Sequence, residues 1–294
     1  MDGQLFAQQV VSGLANGAVY ASLALALVLI YRTTHVVNFA QGEMAMFTTF
    51  VAWSLNNRMS YWPAFVLTLA FAFVFGAAIE RVVIRPVEQA SHLTVIMVTI
   101  ALFVTVNGFV LWVWTPDLRD FPTPFTGEPV VVAGVFFARH EIGIIALTVA
   151  TVVVLWAFFR FTKLGLAMRA AAIRPEAARL LGVRVGWMLA LGWGFAAVLG
   201  AIAGMMTAPL RLLDPNMMQP VLIYAFAAAV LGGIASPAGA VIGGFTIGVG
   251  INLLATYVDF VTPELELPVA FAVLIGILLF RPAGIFGRVA ARRV

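Results

Sequence analysis

The sequence predicts an all-α membrane protein, a polytopic transmembrane helical bundle of about 8–10 membrane segments, some of them broken or re-entrant. Of its 294 residues, 63% are hydrophobic and only 10% are charged, whereas an average soluble domain has about 45–50% and about 25%. The apolar residues form long continuous blocks, unlike the alternating ten-residue runs of a membrane β-barrel. So few charges cannot cover a soluble enzyme, and they also exclude a disordered chain and a secreted scaffold.

Nine apolar blocks are candidate spans, since a helix needs about 20 apolar residues to cross a bilayer. A short connection rich in glycine joins the seventh block to the eighth, and this pair fits either two spans or one re-entrant hairpin. No linker or soluble domain interrupts the blocks, so we predict a single transmembrane domain over residues 1–294. The approximate blocks are 6–31, 36–56, 62–84, 93–115, 141–159, 187–210, 219–235, 238–258 and 266–281.

The charges of the connections predict the orientation. Segment 160–186 has six basic residues and one acid, Glu176, which is six minus one or +5. Segment 259–267 has three acids and no base, and 116–140 also has more acids than bases. Because cytoplasmic loops carry the excess of Lys and Arg, the loop at about 160–186 and the basic C-terminus are predicted to be cytoplasmic. The loop at about 116–140 is then external, and within it residues 130–137 are predicted to form a small hairpin that turns near Gly134.

A short helix is predicted inside the basic loop. Pro175 suits the first helical position, and Gly182 can end the helix in the left-handed conformation. Ala177, Leu180 and Leu181 follow the spacing i, i+3, i+4 and form a narrow apolar face. Two interpretations fit this face equally well. The helix either lies on anionic lipid headgroups or docks into a groove of a soluble partner.

Polar residues interrupt the second block at Asn38, Gln41, Gly42 and Glu43. A polar cluster beside a glycine predicts a broken or re-entrant helix, which transporters use to line a solute path. These four residues are therefore candidates for a translocation path. For Glu43 itself, a place in the first turn of the span, where the helix dipole favours an acid, is a simpler interpretation than direct ligand contact.

Glycines are dense in the seventh and eighth blocks. Gly232, Gly233 and Gly239 are predicted to form a structural turn, for which tight packing is a simpler explanation than gating. Gly244 and Gly248 have the small-xxx-small spacing that lets two helices approach closely. A lone polar residue within a span, such as Asn107, is expected to bridge two helices by a hydrogen bond.

No pattern in the chain predicts catalysis. The absence of cysteine excludes a thiolate zinc site, an iron–sulfur cluster and a cysteine nucleophile. The single lysine, Lys163, lacks the preceding glycine of a phosphate-binding loop. We therefore expect no catalytic residue, no metal site and no cofactor in this chain. The scattered basic residues do not form a surface for nucleic acid.

Three stretches resemble one family of transport proteins. The order Glu176-Ala177-Ala178, three residues, Gly182 resembles the cytoplasmic loop of bacterial ABC-importer permeases. Two more stretches narrow the family to the LivH-type permease subunits of branched-chain amino acid ABC importers, over most of the chain. In this chain Gln41 replaces a His that is usual in the family, and Ala235 replaces a usual Gly. The first of these two further stretches consists of residues 13–21 together with 37–43, and the second consists of residues 231–244.

The resemblance implies a permease domain that works by alternating access in the bacterial inner membrane. It implies a LivM-like second permease, two ABC ATPase subunits that hold ATP and Mg²⁺, and an extracytoplasmic substrate-binding protein. Alternatives are an ABC permease for urea, short amides or a sugar, and an ion-coupled secondary transporter or channel. The residues that would dock the ATPase are Arg174, Glu176, Ala177, Ala178, Arg179, Leu180, Leu181 and Gly182.

Labelling of single cysteines tests the predicted orientation, because the natural chain contains none. On intact cells, an impermeant maleimide is expected to label Thr262→Cys and to leave Ala172→Cys unlabelled until the membrane is permeabilised. Both variants labelled after permeabilisation serve as the control for reactivity. Labelling of Ala172→Cys but not Thr262→Cys on intact cells would reverse the orientation.

Overall fold

A computed structural model describes residues 3–34, 36–262, 264–281 and 284–287. Within these ranges the protein consists of eleven α-helices and one two-stranded hairpin, which confirms the all-α prediction. The elements are α1 (Gly3–Thr34), α2 (Gln41–Asn56), α3 (Tyr61–Ile79), α4 (His92–Trp114), β1 (Val130–Val132), β2 (Val135–Phe137), α5 (Arg139–Phe161), α6 (Lys163–Ile173), α7 (Pro175–Leu180), α8 (Val185–Arg211), α9 (Met218–Gly232), α10 (Pro237–Tyr257) and α11 (Glu266–Phe280).

Six helical stretches in the described residues are long and apolar enough to cross a membrane. They are α1, α4, α5, α8, α10, and α3 continued by a π-helical and a 3₁₀ turn to Val87. The protein is therefore a multi-pass membrane protein. Helices α9 and α11 have 15 residues each and α2 has 16, or roughly 23 Å of helix. These three are shorter than the hydrocarbon core of about 30 Å.

The chain forms two compact units, and neither is one continuous segment. The first unit combines 3–28, 125–148 and the described residues from 220 onward, and the second combines 29–124 with 149–219.

In the first unit, glycines let α1 and α10 approach closely. A Cβ atom added to Gly17 would lie 2.8 Å from the Cα of Phe245, and one added to Gly248 would overlap the backbone of Gly17. Gly244 faces the backbone of Ala21 in the same way. The predicted close approach at Gly244 and Gly248 is confirmed, and these contacts position α10.

The predicted hairpin is confirmed in the first unit. Strands β1 and β2 are antiparallel, with Val130 opposite Phe137. Ala133 and Gly134 between them have φ of 53° and 80°, the two positive values that a type I′ hairpin turn requires. The side chain of Gln8 donates to the carbonyl of Phe136 and accepts from its N–H, both at 2.8 Å. The side-chain amide of Gln8 therefore satisfies the backbone N–H and carbonyl of Phe136 at the free edge of β2.

The predicted glycine turn joins α9 to α10. Gly233 has φ of 100°, and the hydroxyl of Ser236 accepts a hydrogen bond from the N–H of Gly239 at 3.1 Å, which caps α10. A Cβ atom on Gly232 would overlap the backbone of Gly239, and the reverse also holds. The turn is tight, and any side chain at either position would force α9 and α10 apart.

In the second unit, α8 packs against both α2 and α3. A Cβ atom added to Gly76 of α3 would lie 2.6 Å from the Cβ of Ala197, and one added to Gly200 would lie 2.9 Å from the side-chain nitrogen of Gln41. Gly204 faces Ala45 of α2 in the same way. The small residues of α8 therefore determine where α2 and α3 lie.

Gly248→Leu is expected to lower the stability of the protein, because its side chain must displace the backbone of α1. Overpacking of this kind costs about 1–3 kcal/mol, which thermal unfolding of the detergent-solubilised protein would measure. Gly250→Leu is the matched control on the same helix, since an added Cβ atom there meets nothing within 4 Å. Equal melting temperatures for the two variants would contradict the packing of α10 on α1.

Candidate functional site

The predicted break lies between α1 and α2. Helix α1 ends at Thr34 and α2 begins at Gln41, and the described residues between them are not helical. The side-chain oxygen of Asn38 accepts from the N–H of Ala40 at 3.1 Å, and its carbonyl accepts from the N–H of Gln41 at 3.2 Å. Asn38 therefore builds the turn that starts α2, while Gly42 lies inside the first turn of the helix.

Gln41 connects the start of α2 to the middle of α8. Its side-chain nitrogen donates to the carbonyl of Ala196 at 2.9 Å, and its side-chain oxygen accepts from the amide of Asn38 at 3.2 Å. Asn38 and Gln41 are both 0% exposed, so each needs a protein partner. The two side chains bond to each other and to α8, and together they hold the start of α2 in place.

Glu43 belongs to a different set of contacts. Its side chain is only 1% exposed, and one carboxylate oxygen accepts from the amide of Asn107 at 3.1 Å. The other oxygen accepts from the amide of Gln219 at 3.3 Å. Asn107 is thus the interhelical bridge that was predicted, from α4 to α2. Gln219 was not among the predicted site residues, and its only sequence signal is a polar side chain at the start of an apolar block.

Asn216 extends this set to the surface. The amide nitrogen of Asn107 also lies 3.1 Å from the carbonyl of Pro215 and 3.4 Å from the side-chain oxygen of Asn216. The amide nitrogen of Gln219 lies 2.9 Å from the same oxygen of Asn216. Asn107 and Gln219 are half-buried and Asn216 is exposed. We refer to Glu43, Asn107, Asn216 and Gln219 as the Glu43 cluster, which leads from a buried carboxylate to the protein surface.

The connection between α8 and α9 is held by backbone hydrogen bonds to the segment after α4. Arg119 and Leu213 exchange both N–H···O bonds, at 3.1 and 2.8 Å. The guanidinium of Arg119 stacks over the ring of Trp53 on α2, 4.5 Å from its centre. Leu212 has φ of 66°, a conformation that costs about 1–3 kcal/mol outside glycine and that persists only when its surroundings fix it. Arg119 therefore helps to position the segment that carries Asn216.

The short helix predicted in the basic loop is α7. It begins at Pro175 and ends at Leu180, and Gly182, just after the C-cap residue Leu181, has φ of 80°. The N–H of Val183 donates to the carbonyl of Ala178, and that of Gly182 to the carbonyl of Arg179, both at 3.0 Å. These two bonds form a Schellman motif, which satisfies the last carbonyls of the helix. The predicted beginning and end of this helix are confirmed.

The two faces of α7 have opposite surroundings. Ala178 is 2% exposed and packs with Ala171 and Val185. Leu180 and Leu181 are 90% and 83% exposed, although each carries a large apolar side chain. Leu180 lies about 200° from Ala178 around the helix axis. Ala178 therefore anchors α7 to the rest of the chain and does not lie on its outer surface. The other predicted docking residues of the loop are exposed: Arg174, Glu176, Ala177, Arg179 and Gly182.

Among the described residues, no three His, Cys, Asp or Glu side chains come together in a group that could hold a metal ion. The expectation that the chain binds no cofactor remains a prediction. The apolar spans place the chain among the multi-pass helical membrane proteins, and a broken helix beside a buried polar cluster is an arrangement typical of transporters.

Comparison with known proteins gives the family. Residues 9–278 match the family described as the branched-chain amino acid transport system permease component, and the chain belongs to that family. It is a transport permease subunit and not an enzyme, and the resemblance to LivH-type permeases is confirmed.

Individual relatives agree with this assignment. The chain is 30% identical to the high-affinity branched-chain amino acid transport system permease protein LivH of Escherichia coli, over 98% of both chains. It is also 30% identical to the corresponding permease BraD of Pseudomonas aeruginosa, again over 98% of both. The fructose import permease FruF of Bifidobacterium longum is 25% identical over 75% of this chain and 61% of that protein. No solved structure matches the chain significantly.

Gln41→Leu is expected to destabilise the second unit, because the buried amide of Asn38 loses its oxygen acceptor and keeps only the sulfur of Met44, at 3.5 Å. An unsatisfied buried polar group costs about 1–3 kcal/mol, and thermal unfolding would measure the loss. Gln89→Leu is a control in the same unit at an exposed position, where about 0.5 kcal/mol or less is expected. A melting temperature unchanged by Gln41→Leu would show that the hydrogen bonds of Gln41 do not hold α2 in place.

Proposed function

We propose that this chain is a membrane-spanning subunit of an ATP-driven importer of branched-chain amino acids. Its partners would be a LivM-like second permease, two ABC ATPase subunits and an extracytoplasmic substrate-binding protein. The substrate class is supported by the relatives that match 98% of the chain and are named for branched-chain amino acids. Those relatives do not favour the alternatives, which were urea, short amides, a sugar or an ion-coupled transporter.

The observation that carries the proposed energy coupling is the exposed leucine pair of α7. Leu180 and Leu181 are 90% and 83% exposed on a helix that is capped at its end and anchored by Ala178. Contact with the groove of an ATPase would remove both side chains from water, which favours docking. ATP and Mg²⁺ would be bound by those ATPase subunits and not by this chain. This docking requires the loop at 160–186 and the C-terminus to lie in the cytoplasm of a bacterial cell, at the inner membrane.

A continuous series of contacts in the second unit can transmit motion of α7 to the proposed path. Ala178 of α7 packs against Val185 at the start of α8. Farther along α8, the carbonyl of Ala196 accepts the hydrogen bond from Gln41 at the start of α2. Helix α2 also carries Glu43. Displacement of α7 by a closing pair of ATPases would therefore move α8, and α8 would carry the start of α2 with it.

Transport by alternating access requires this region to open. Asn38, Gln41, Gly42 and Glu43 are all buried in the described conformation. A path lined by these residues would be exposed to solute only after the contacts between α2 and α8 change. We propose that nucleotide binding and hydrolysis on the partner subunits drive that change.

Leu180→Asp together with Leu181→Asp tests the docking of α7. Two charges in a desolvated groove are unfavourable, so the ATPase is expected to dissociate from the variant during purification. ATP-dependent leucine uptake is expected to fall by roughly tenfold or more, which corresponds to about 1.4 kcal/mol of lost binding. Co-purification of the complex and uptake of radiolabelled leucine would measure both effects.

The control is Leu166→Asp, which adds a charge at an exposed leucine of the neighbouring helix α6. This variant is expected to keep the ATPase and near-normal uptake. If α7 only lies on lipid headgroups, the double variant would also keep a stoichiometric ATPase. That outcome would contradict the docking proposal.

A further inference from the structure

We infer that the Glu43 cluster binds the ammonium group of the transported amino acid. The inference rests on the proposed function for its substrate class, but it is argued from the contacts of the cluster. Glu43 is an acid at 1% exposure in an apolar protein. The hydrogen bonds to its carboxylate in the described structure come from the neutral amides of Asn107 and Gln219. Asp214, which also interacts electrostatically with Glu43, adds further negative charge.

The carboxylate of Glu43 has acceptor capacity that its neighbours do not use. The amide nitrogen of Asn107 has two protons and lies within 3.1–3.4 Å of three acceptors, which belong to Glu43, Pro215 and Asn216. The amide nitrogen of Gln219 lies within 2.9–3.3 Å of two acceptors, on Glu43 and Asn216. A carboxylate can also accept about four hydrogen bonds, and these two amides supply one to each oxygen. The cluster therefore suits a ligand that brings both N–H donors and positive charge.

An ammonium group has these properties. It carries one positive charge and three N–H donors, and charge-assisted bonds to a carboxylate are about twice as strong as neutral ones. The carboxylate end of an amino acid would be repelled by Glu43 and Asp214, so it must lie away from the cluster. Asn216 is exposed and the amides of Asn107 and Gln219 are half-buried, so a series of polar groups lies between the protein surface and Glu43.

A second buried glutamate shows what distinguishes the cluster. Glu80 is also 1% exposed, and it lies in the π-helical turn Glu80–Ile84 that follows α3. Neither oxygen of its carboxylate has a hydrogen-bond partner in the structure. Glu80 thus has the burial of Glu43 without the surrounding amides, and Glu80→Gln is a matched control for Glu43→Gln.

The test uses the whole importer, which is this chain assembled with its partner subunits. Binding of radiolabelled leucine is measured on the purified complex without the substrate-binding protein, and ATP-dependent leucine uptake is measured in vesicles with it. Two competitors separate the ends of the ligand. Leucinamide keeps the ammonium group and lacks the carboxylate, whereas α-hydroxyisocaproate keeps the carboxylate and has a hydroxyl in place of the ammonium group.

On the wild-type complex, leucinamide is expected to displace leucine at a concentration about tenfold or more below that of α-hydroxyisocaproate. Glu43→Gln is expected to weaken leucine binding and uptake by about tenfold or more and to abolish this discrimination. Glu80→Gln is expected to keep both. The comparison of the two competitors on the wild-type complex does not depend on whether Glu43→Gln assembles.

Several results would overturn the inference. They are equal displacement by the two competitors, undetectable leucine binding to a wild-type complex that imports leucine, and normal discrimination in Glu43→Gln. Binding or uptake that requires Na⁺, and is lost in choline or K⁺, would assign the cluster to a metal cation instead. If the wild-type chain supports no ATP-dependent leucine uptake at all, the proposed function fails, and that result is distinguishable from failure of the ammonium site.

Discussion

The close approach of α8 to α2 and α3 is the constraint on which the second unit depends. It exists because small residues face each other at the crossings, where Gly200 and Gly204 meet α2 and Gly76 meets α8. In a membrane, close packing replaces the hydrophobic driving force between helices. The short distance to α8 lets the side chain of Gln41 reach the carbonyl of Ala196 at 2.9 Å. That bond determines where α2 begins, and the position of Glu43 follows from it.

The polar side chains near the start of α2 fall into two groups with different surroundings. Asn38 and Gln41 use their amides on each other and on the backbone, so the requirements of the buried amide groups are met within the protein. Glu43, two residues after Gln41, accepts its hydrogen bonds from two neutral amides and from no basic side chain among the described contacts. A satisfied buried network stabilises a fold, whereas a buried acid with spare acceptor capacity is a candidate ligand site.

The loop between α5 and α8 combines a fixed inner face with an unpartnered outer one. Ala178 is small enough to pack closely on Ala171 and Val185, and the Schellman motif at Gly182 stops the helix after two turns. A helix this short is marginal by itself, so its order comes from the anchor beneath it. The leucines on the other side are exposed in the described structure. The anchor residue Ala178 and the exposed leucines therefore belong to one short helix. A force applied to the leucines would reach α8 through the contact between Ala178 and Val185.

The features that depend on composition or on a few adjacent residues could be predicted from the sequence alone. Continuous apolar blocks required membrane helices, Pro175 and Gly182 delimited α7, and the Ala133-Gly134 turn required a hairpin. Which residues meet Glu43 could not be predicted in this way, because Gln219 is 176 positions away along the chain and no local pattern relates the two. The tertiary structure also decided that Ala178 faces inward while Leu180 faces outward, since the partner surface formed by α6 and α8 selects the buried side of α7. Local preferences fix where helices begin and end, but contacts between distant helices fix which of their side chains come together.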